Sequence, residues 1–540
     1  MRPSRPAPAS LVAHGGTPNA RIGCESIYHR RMPTVRIHDT LTGKQAPLEP
    51  IAGARGPVTF YSCGPTVYDD AHIGNFRSFL NADVLRRAIE LTGVPVRHVM
   101  NITDVGHMTD DSQADGGGED KMAVAGRRIA EAKKAGKLPP GAAIDAGDPM
   151  AIADFYASRF LEDARHLGLQ VAIDAERDAT LMPRPTTWVP QMVAMVQSLI
   201  ERGHAYVAKD GVVYFDVRSF PDYGQLSGNT LDALREGEGG RISAENQAAK
   251  RHPADFMLWK PDAKHLLKWD SPWGAGYPGW HLECSAMAAG LLGEQIDLHS
   301  GGEDNIFPHH ECEIAQSRCC FGKPAFARLW FHTRHLIVEG QKMSKSKGNF
   351  FTARDLFAKG VTPAALRLEL IRTHYRVNSN FTMQGLADCQ RMIDRWSRHA
   401  DSLAVSAGLR GPDAARPAGP MERALAAFTE ALCDDLNVAR AIAAINEALA
   451  QDHVSACPAR ELAALQRMDS VLAVLQRNKP LASESSDDLE SKVNELLARR
   501  AAARAAKDWP ASDRVRDELQ ALGVQIKDGP TGTTWSRVVR

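Results

Sequence analysis

The sequence predicts an α/β architecture: a parallel sheet opened by one βαβ unit, interrupted by a long insertion and followed by a helical run. Three observations carry this reading. Val58 to Ser62 is a β-favouring run, Phe76, Leu80 and Val84 then fall on one helical stripe, and Val96 to Ile102 resumes strand character. Residues 104 to 140 are polar and place Gly116-Gly117-Gly118 among acids, which breaks a simple continuation of the sheet. From about residue 360 onward the apolar spacing is helical for on the order of a hundred residues.

Each element has a local reason. The first strand ends in the turn Cys63-Gly64-Pro65, Phe79 flanks the helical stripe, and Gly93 lies just past the expected helix end. A βαβ unit implies a right-handed crossover between parallel strands. Strand signals at 205 to 208 and 212 to 217 give the insertion its own fold, ending near Pro272. The sheet is expected to resume at 296 to 298 and again at 335 to 338. Met421, Leu425, Phe428 and Leu432, then Val438, Ile442, Ile445 and Leu449, have the spacing of bundle helices. The stretch from Gly408 to Pro420 reads as a loop, and Ala482 to Ser486 as a linker. The end of the chain reads as a helix with Leu489, Val493 and Leu496, a second with Val515, Leu519 and Leu522, a strand at Val524 and Ile526, and a turn at Asp528-Gly529.

A chain of 540 residues exceeds one hydrophobic core and implies about three or four domains. With 44% hydrophobic and 24% charged residues it has the composition of a soluble globular protein, and it lacks the run of about 18 apolar residues that a spanning helix needs. Its 65 basic and 65 acidic side chains cancel, so any polyanion must meet a local patch. Nine irregularly placed cysteines, two adjacent at Cys319 and Cys320, suit a reducing cytoplasm rather than a disulfide framework. Residues 1–31 carry five arginines and one acid, Glu25, and read as a basic extension expected to be disordered; a transit segment is the alternative.

Two motifs suit a nucleotide. His72-Ile73-Gly74-Asn75 lies where a strand end meets a helix start, where free N–H groups and the helix dipole favour phosphate. His72 adds a donor, and Gly74 permits close approach to the backbone. Lys342-Met343-Ser344-Lys345-Ser346, with Lys347-Gly348 after it, suits a loop whose ammonium groups stabilise charge on a reacting triphosphate. A third set, Cys63, Cys284, His309 and Glu313, offers thiolate, imidazole and carboxylate donors competent for zinc. Cys312, at i+3 from His309, competes with Glu313, and buried unliganded cysteines are the plain alternative.

The two nucleotide motifs, in this order and about 270 residues apart, resemble the paired signatures of class I aminoacyl-tRNA synthetases. That resemblance implies a Rossmann-type catalytic domain split by a connective insertion, with ATP and Mg²⁺ used to make an aminoacyl-adenylate. His72, Gly74, Asn75, Lys342, Ser344, Lys345 and Ser346 take the ATP-handling positions, His72, Gly74, Asn75, Lys342 and Lys345 the catalytic ones. Asn75 stands where the family usually has a second histidine; it cannot become cationic. Segments 61–68, 279–285 and 307–317 look like the three zinc-bearing segments of cysteinyl-tRNA synthetases. By that resemblance Cys63, Cys284, His309 and Glu313 hold one zinc per chain, Thr66 and Trp280 lie beside the bound amino acid, and the substrate's sulfur joins the metal. The implied reaction charges tRNA(Cys) with L-cysteine in a cytoplasmic monomer, with no membrane partner and no editing domain.

The expected divisions are 1–31 (extension), 32–103 and 272–350 (the two catalytic halves), 104–271 (connective insertion), 351–400 (stem contact), 401–482 (helical tRNA- and anticodon-binding bundle) and 483–540 (small C-terminal domain). For RNA, Arg367, Arg372, Arg376, Arg391, Arg395 and Arg398 form one basic patch, and Arg499, Arg500, Arg504, Lys507, Arg514 and Arg516 another. Trp396 and Trp509 are candidates for base stacking or for the core. Two alternatives stand beside this reading: a cysteine-dependent amide ligase of the mycothiol pathway, and a non-catalytic zinc-containing RNA-binding paralogue.

Overall fold

A computed structural model describes residues 33–53, 56–105, 108–110, 117–135, 144–231, 249–344, 347–409, 418–451, 455–481, 486–505, 508–521, 524–529 and 532–537. The basic extension, Gly116, Lys345 and Ser346, most of the 408–420 loop and most of the 482–486 linker lie outside these residues.

The parallel-sheet unit is built from β1 (Val58–Ser62), α1 (Ile73–Leu91), β2 (Val96–Met100), α2 (Trp280–Leu292), β3 (Ile296–Gly302), α3 (Glu311–Phe321) and β4 (Ala327–Thr333). The four strands form one parallel sheet in the order β4-β3-β1-β2. The chain leaves β1 towards one edge through α1 and leaves β3 towards the other through α3. The switch point of this sheet is therefore the gap between the carboxyl ends of β1 and β3, where open α/β sheets bind ligands. At that gap the two strands stay close, with Cys63 N–H donating to the Ser300 carbonyl oxygen (3.0 Å). Gly64 is required there, since a Cβ would sit 1.7 Å from the Asn101 carbonyl oxygen.

The expected strand at 335 to 338 is real but belongs elsewhere. Leu336–Val338 pairs with Gln341–Lys342 and Ser379–Phe381 in a separate three-stranded sheet, and β4 takes the place in the parallel sheet. Arg328 and His332 interrupt the apolar run of β4 and hide it in the sequence, although His332 is buried.

The insertion carries an antiparallel sheet ordered 276–278, 256–261, 213–215, 205–207, so its last strand falls beyond Pro272. Its helix Pro149–His166 packs on α1, with Phe160 stacked on Phe76 at 5.7 Å between ring centroids. Downstream, helices Pro363–Ile371, Met383–Leu409, Pro420–Cys433, Val438–Leu449 and Pro458–Leu472 follow, and the Met421 and Val438 stripes face the core, with Leu449 half-buried at the end. The small C-terminal unit is two helices, Ser486–Ala505 and Trp509–Ala521, and a hairpin around Val493, Leu496, Val515, Leu519 and Val524. Asp528 and Gly529 are paired strand residues rather than the turn, because the ladder continues to Gly529 opposite Gly532.

The basic patches shrink on folding. Arg367 is fully buried; it pairs with Asp83 (2.6 Å) and donates to the carbonyl oxygens of Leu472 and Leu167, which ties α1 to the helical bundle. Arg500 is also buried. Trp396 is core, donating to Asn446, whereas Trp509 is 56% exposed. Among the described residues no helix is long and apolar enough to cross a membrane.

Candidate active site and metal centre

Cys63 follows β1, Cys284 lies in the first turns of α2, and His309 and Glu313 bracket the start of α3, so three segments converge at the switch point. All four side chains are buried and their donor atoms lie within 4.8 Å of one another. Three of the donor spacings match a metal's tetrahedron. For zinc with ligands at about 2.0–2.3 Å, tetrahedral geometry puts sulfur–sulfur pairs about 3.8 Å apart and sulfur–nitrogen or sulfur–oxygen pairs about 3.6 Å apart. The Cys63 and Cys284 sulfurs are 3.8 Å apart, Cys284 Sγ and His309 Nε2 3.6 Å, and Cys63 Sγ and Glu313 Oε1 3.7 Å. His309 Nε2 and Glu313 Oε1 are closer, at 2.8 Å, as a hydrogen-bonded pair. The donor set therefore fits zinc.

The electrostatics favour ligand forms at part of the cluster. Burial works against charge on Glu313, yet His299 and His309 hold its carboxyl down at about 2. Burial likewise opposes the His309 imidazolium, but Glu313 and Cys284 lift it to about 10. Burial, then the neighbouring Cys284, push the Cys63 thiol up; against burial, hydrogen bonds from Cys63 and His309 bring Cys284 down. Two thiols this close tolerate one thiolate unless a cation joins them.

A shell of histidines surrounds the donors, and sequence reasoning missed it. His299 Nε2 contacts Glu313 Oε2 (2.7 Å), His281 Nδ1 contacts His309 Nδ1 (2.9 Å), and His310 Nε2 approaches Cys63 Sγ (3.3 Å). His310 in turn meets His332 (2.7 Å), and His332 meets the Thr40 hydroxyl (2.8 Å). Such outer partners fix the orientation of metal ligands. Cys63, His299, His310 and Glu313 form a second overlapping quartet. The available signal was a histidine inside each of two strand segments, at His299 and His332. Cys312 belongs to neither quartet; its sulfur faces the Tyr223 hydroxyl (3.5 Å) within the core.

The nucleotide motifs meet. His72 caps α1: its Nδ1 accepts from Asn75 N–H (3.2 Å) while Asn75 Oδ1 accepts from His72 N–H (3.1 Å). This reciprocal capping box gives Asn75 a role that needs no charge. With Nδ1 accepting, the neutral imidazole carries its proton on Nε2 as a donor. A Cβ on Gly74 would meet the His72 ring at 2.9 Å and Met343 Cε at 3.2 Å, so Gly74 lets the second motif approach the first. Beyond that motif, the Phe351 carbonyl oxygen accepts from Ile73 N–H (3.0 Å) and Thr352 bridges His72. Lys342 is exposed and Ser344 half-buried, its N–H held by Asn349 Oδ1 (2.8 Å).

Thr66 bridges Thr103 at the same strand ends, and Trp280 stacks on His309 at 4.2 Å. Lys121, buried at the start of the insertion's first helix, lies 5.3 Å from the Tyr68 ring centroid and 5.7 Å from that of Trp280. Nothing in its local sequence marked it.

Residues 51–391 match the model of the tRNA synthetases class I (C) catalytic domain, and residues 486–535 match the cysteinyl-tRNA ligase anticodon binding domain. A cysteine–tRNA ligase from Salinibacter ruber is 41% identical over 94% of this chain and 98% of its own length; one from Thermus thermophilus is 39% identical over 92% and 98%. The chain belongs to the cysteine–tRNA ligase family. A LeuRS from Agrobacterium radiobacter K84, solved with tRNA and LeuAMS, shares the fold at TM-score 0.52 and 13% identity, covering 79% of this chain and 84% of that one. The catalytic match spans both nucleotide motifs and all four donors. The anticodon-domain match spans the exposed Trp509.

Proposed function

We propose that the chain activates L-cysteine with ATP and Mg²⁺ to cysteinyl-adenylate, releasing pyrophosphate, and transfers cysteine to the 3′-terminal ribose of tRNA(Cys). The observation that carries this reading is the four-donor cluster at zinc spacing, at the switch point and joined to His72 by the 63–72 loop. Cys63, Cys284, His309 and Glu313 are assigned one zinc per chain. When bound, zinc supplies a soft cation that takes a thiolate in preference to a hydroxyl near neutral pH. Thr66 and Trp280 are assigned to the walls beside the amino acid, with Trp280 held by its stacking on His309.

His72 offers its Nε2 proton to the triphosphate, with its ring fixed by Asn75. Lys342 and Lys345 are assigned to the charge that builds on the α-phosphate and the departing pyrophosphate, with Ser344 and Ser346 beside them. The stretches 351–400 and 401–482 are assigned to the acceptor stem and the body of tRNA, and 483–540 to the anticodon, where Trp509 offers an exposed ring for stacking. The working unit is assigned as a monomer. None of the described cysteines forms a disulfide, in keeping with a cytoplasmic site.

The C-terminal anticodon-domain match favours tRNA over a small amine as acceptor, and the intact nucleotide motifs oppose a non-catalytic role. Cysteine-dependent ATP–pyrophosphate exchange, followed by offering the adenylate to tRNA and to small amines, tests the reading. Charging of tRNA is expected; exchange with transfer to amines alone overturns it.

A further inference from the structure

Helix Pro149–His166 belongs to the insertion, yet it grips the flanks of both nucleotide motifs. On one side Arg159 holds Asp70, two residues before His72, with a fork: Nε to Oδ1 at 2.6 Å and Nη2 to Oδ2 at 2.7 Å. On the other side lies Arg354, two residues after Thr352, whose backbone bridges His72. Arg354 Nη2 donates to the Arg159 carbonyl oxygen (2.8 Å) and to Glu162 Oε2 (2.5 Å), and its Nε lies 3.0 Å from Asp163 Oδ2. Arg128, from the insertion's first helix, adds a bond to Asp69 (2.9 Å). Phe160, on the same helix as Arg159, is wedged against Phe76 and Phe79 of α1.

Isolated surface ion pairs contribute little, about 0–1 kcal/mol. These differ in burial and in linkage. The side chains of Arg159 and Asp70 are each 22% exposed, Arg354 is 23% and Asp163 2%, and one contact leads to the next through a single helix turn. Bidentate arginine contacts also fix direction as well as distance.

We propose that Arg159 and Arg354 are positioning residues for adenylate formation: through helix Pro149–His166 they hold the backbone flanking the two nucleotide motifs in one register. The insertion thereby acts as a strut for the ATP site. Neither arginine touches substrate in this scheme; each acts through Asp70 or through the segment around Thr352. The proposal rests on the reading of the chain as an amino acid-activating enzyme. Misplacing reacting groups by about 1 Å costs on the order of 10²-fold in rate, which sets the scale of the effect.

The test is steady-state cysteine-dependent ATP–pyrophosphate exchange by full-length Arg159→Gln, Arg354→Gln and the double variant, with zinc content measured alongside. Each single variant is expected to lower kcat by about tenfold or more and to raise KM for ATP, leaving KM for cysteine and zinc content unchanged. Because one break undoes the chain, the double variant is expected to be no worse than the poorer single, a non-additive result. Arg354→Lys keeps the charge but loses the planar group that reaches the Arg159 carbonyl oxygen, Glu162 and Asp163 together, and should recover only part of the rate. Asp70→Asn, a half-buried loop change, gives the same ATP-selective signature and decides the matter if an arginine variant fails to fold. Wild-type kinetics in Asp70→Asn and Arg159→Gln overturn the proposal, as does a loss that falls equally on cysteine, ATP and zinc. A wild-type enzyme with no cysteine-dependent exchange overturns the parent reading instead.

Discussion

Replacing Asn75 with alanine removes the side chain that accepts from His72 N–H at 3.1 Å and leaves only the His72 half of the capping box on α1. Loss of a helix cap costs about 0.5–2 kcal/mol. If the His72 backbone shifts in proportion and carries the ring with it, adenylate formation slows by about 2- to 30-fold, since about 1.36 kcal/mol corresponds to a factor of ten. Pyrophosphate exchange under saturating cysteine measures this directly, and KM for cysteine should hold because the metal cluster is untouched. Asn75→Gln keeps a neutral acceptor at the same helix position and should stay near the wild-type rate. A wild-type rate in Asn75→Ala, or equal damage in Asn75→Gln, would refute the capping role.

Three further outcomes follow from the site and its surroundings. Cys284→Ala is expected to lose its one zinc per chain, by metal analysis, together with most cysteine activation; retained zinc would move the metal to the quartet of Cys63, His299, His310 and Glu313. Lys345→Ala is expected to slow adenylate formation on the order of 10²-fold while leaving zinc in place, and an unchanged exchange rate would count against it. Burial pushes the Asp163 carboxyl up to about 7, against the pull of Arg354. A raised carboxyl favours the folded state while it stays protonated, so its contribution is complete below about pH 4 and is lost as pH rises through about 7. Asp163→Asn should therefore gain in Tm relative to wild type as pH goes from about 5 to about 8, and a gap that shrinks over that range would contradict the assignment.

The legible parts of the molecule are those written in local pattern. The βαβ unit from 58 to 102 announces itself by a switch from strand to helical spacing, and Gly93 past α1 adopts φ +88° as a helix-terminating glycine does. The donors Cys63, Cys284, His309 and Glu313 were named through resemblance, because their convergence depends on strand order, which spacing alone does not encode. The same limit explains β4, whose arginine and histidine mask a buried strand, and Arg367, a charge that looked like a surface patch and is a buried tie to Asp83. The histidine shell was hidden for a related reason: His281, His299, His310 and His332 come from separate elements, and only the sheet brings them to one point.

Selection of the substrate by a metal-bound thiolate is the central claim, and the ratio of pyrophosphate exchange with cysteine to that with serine tests it most directly. Packing alone discriminates by about 10- to 200-fold for a small difference between side chains. Zinc selection predicts a ratio well above that range for the zinc-loaded enzyme, falling when Cys284 is replaced. A ratio within the packing range would contradict it.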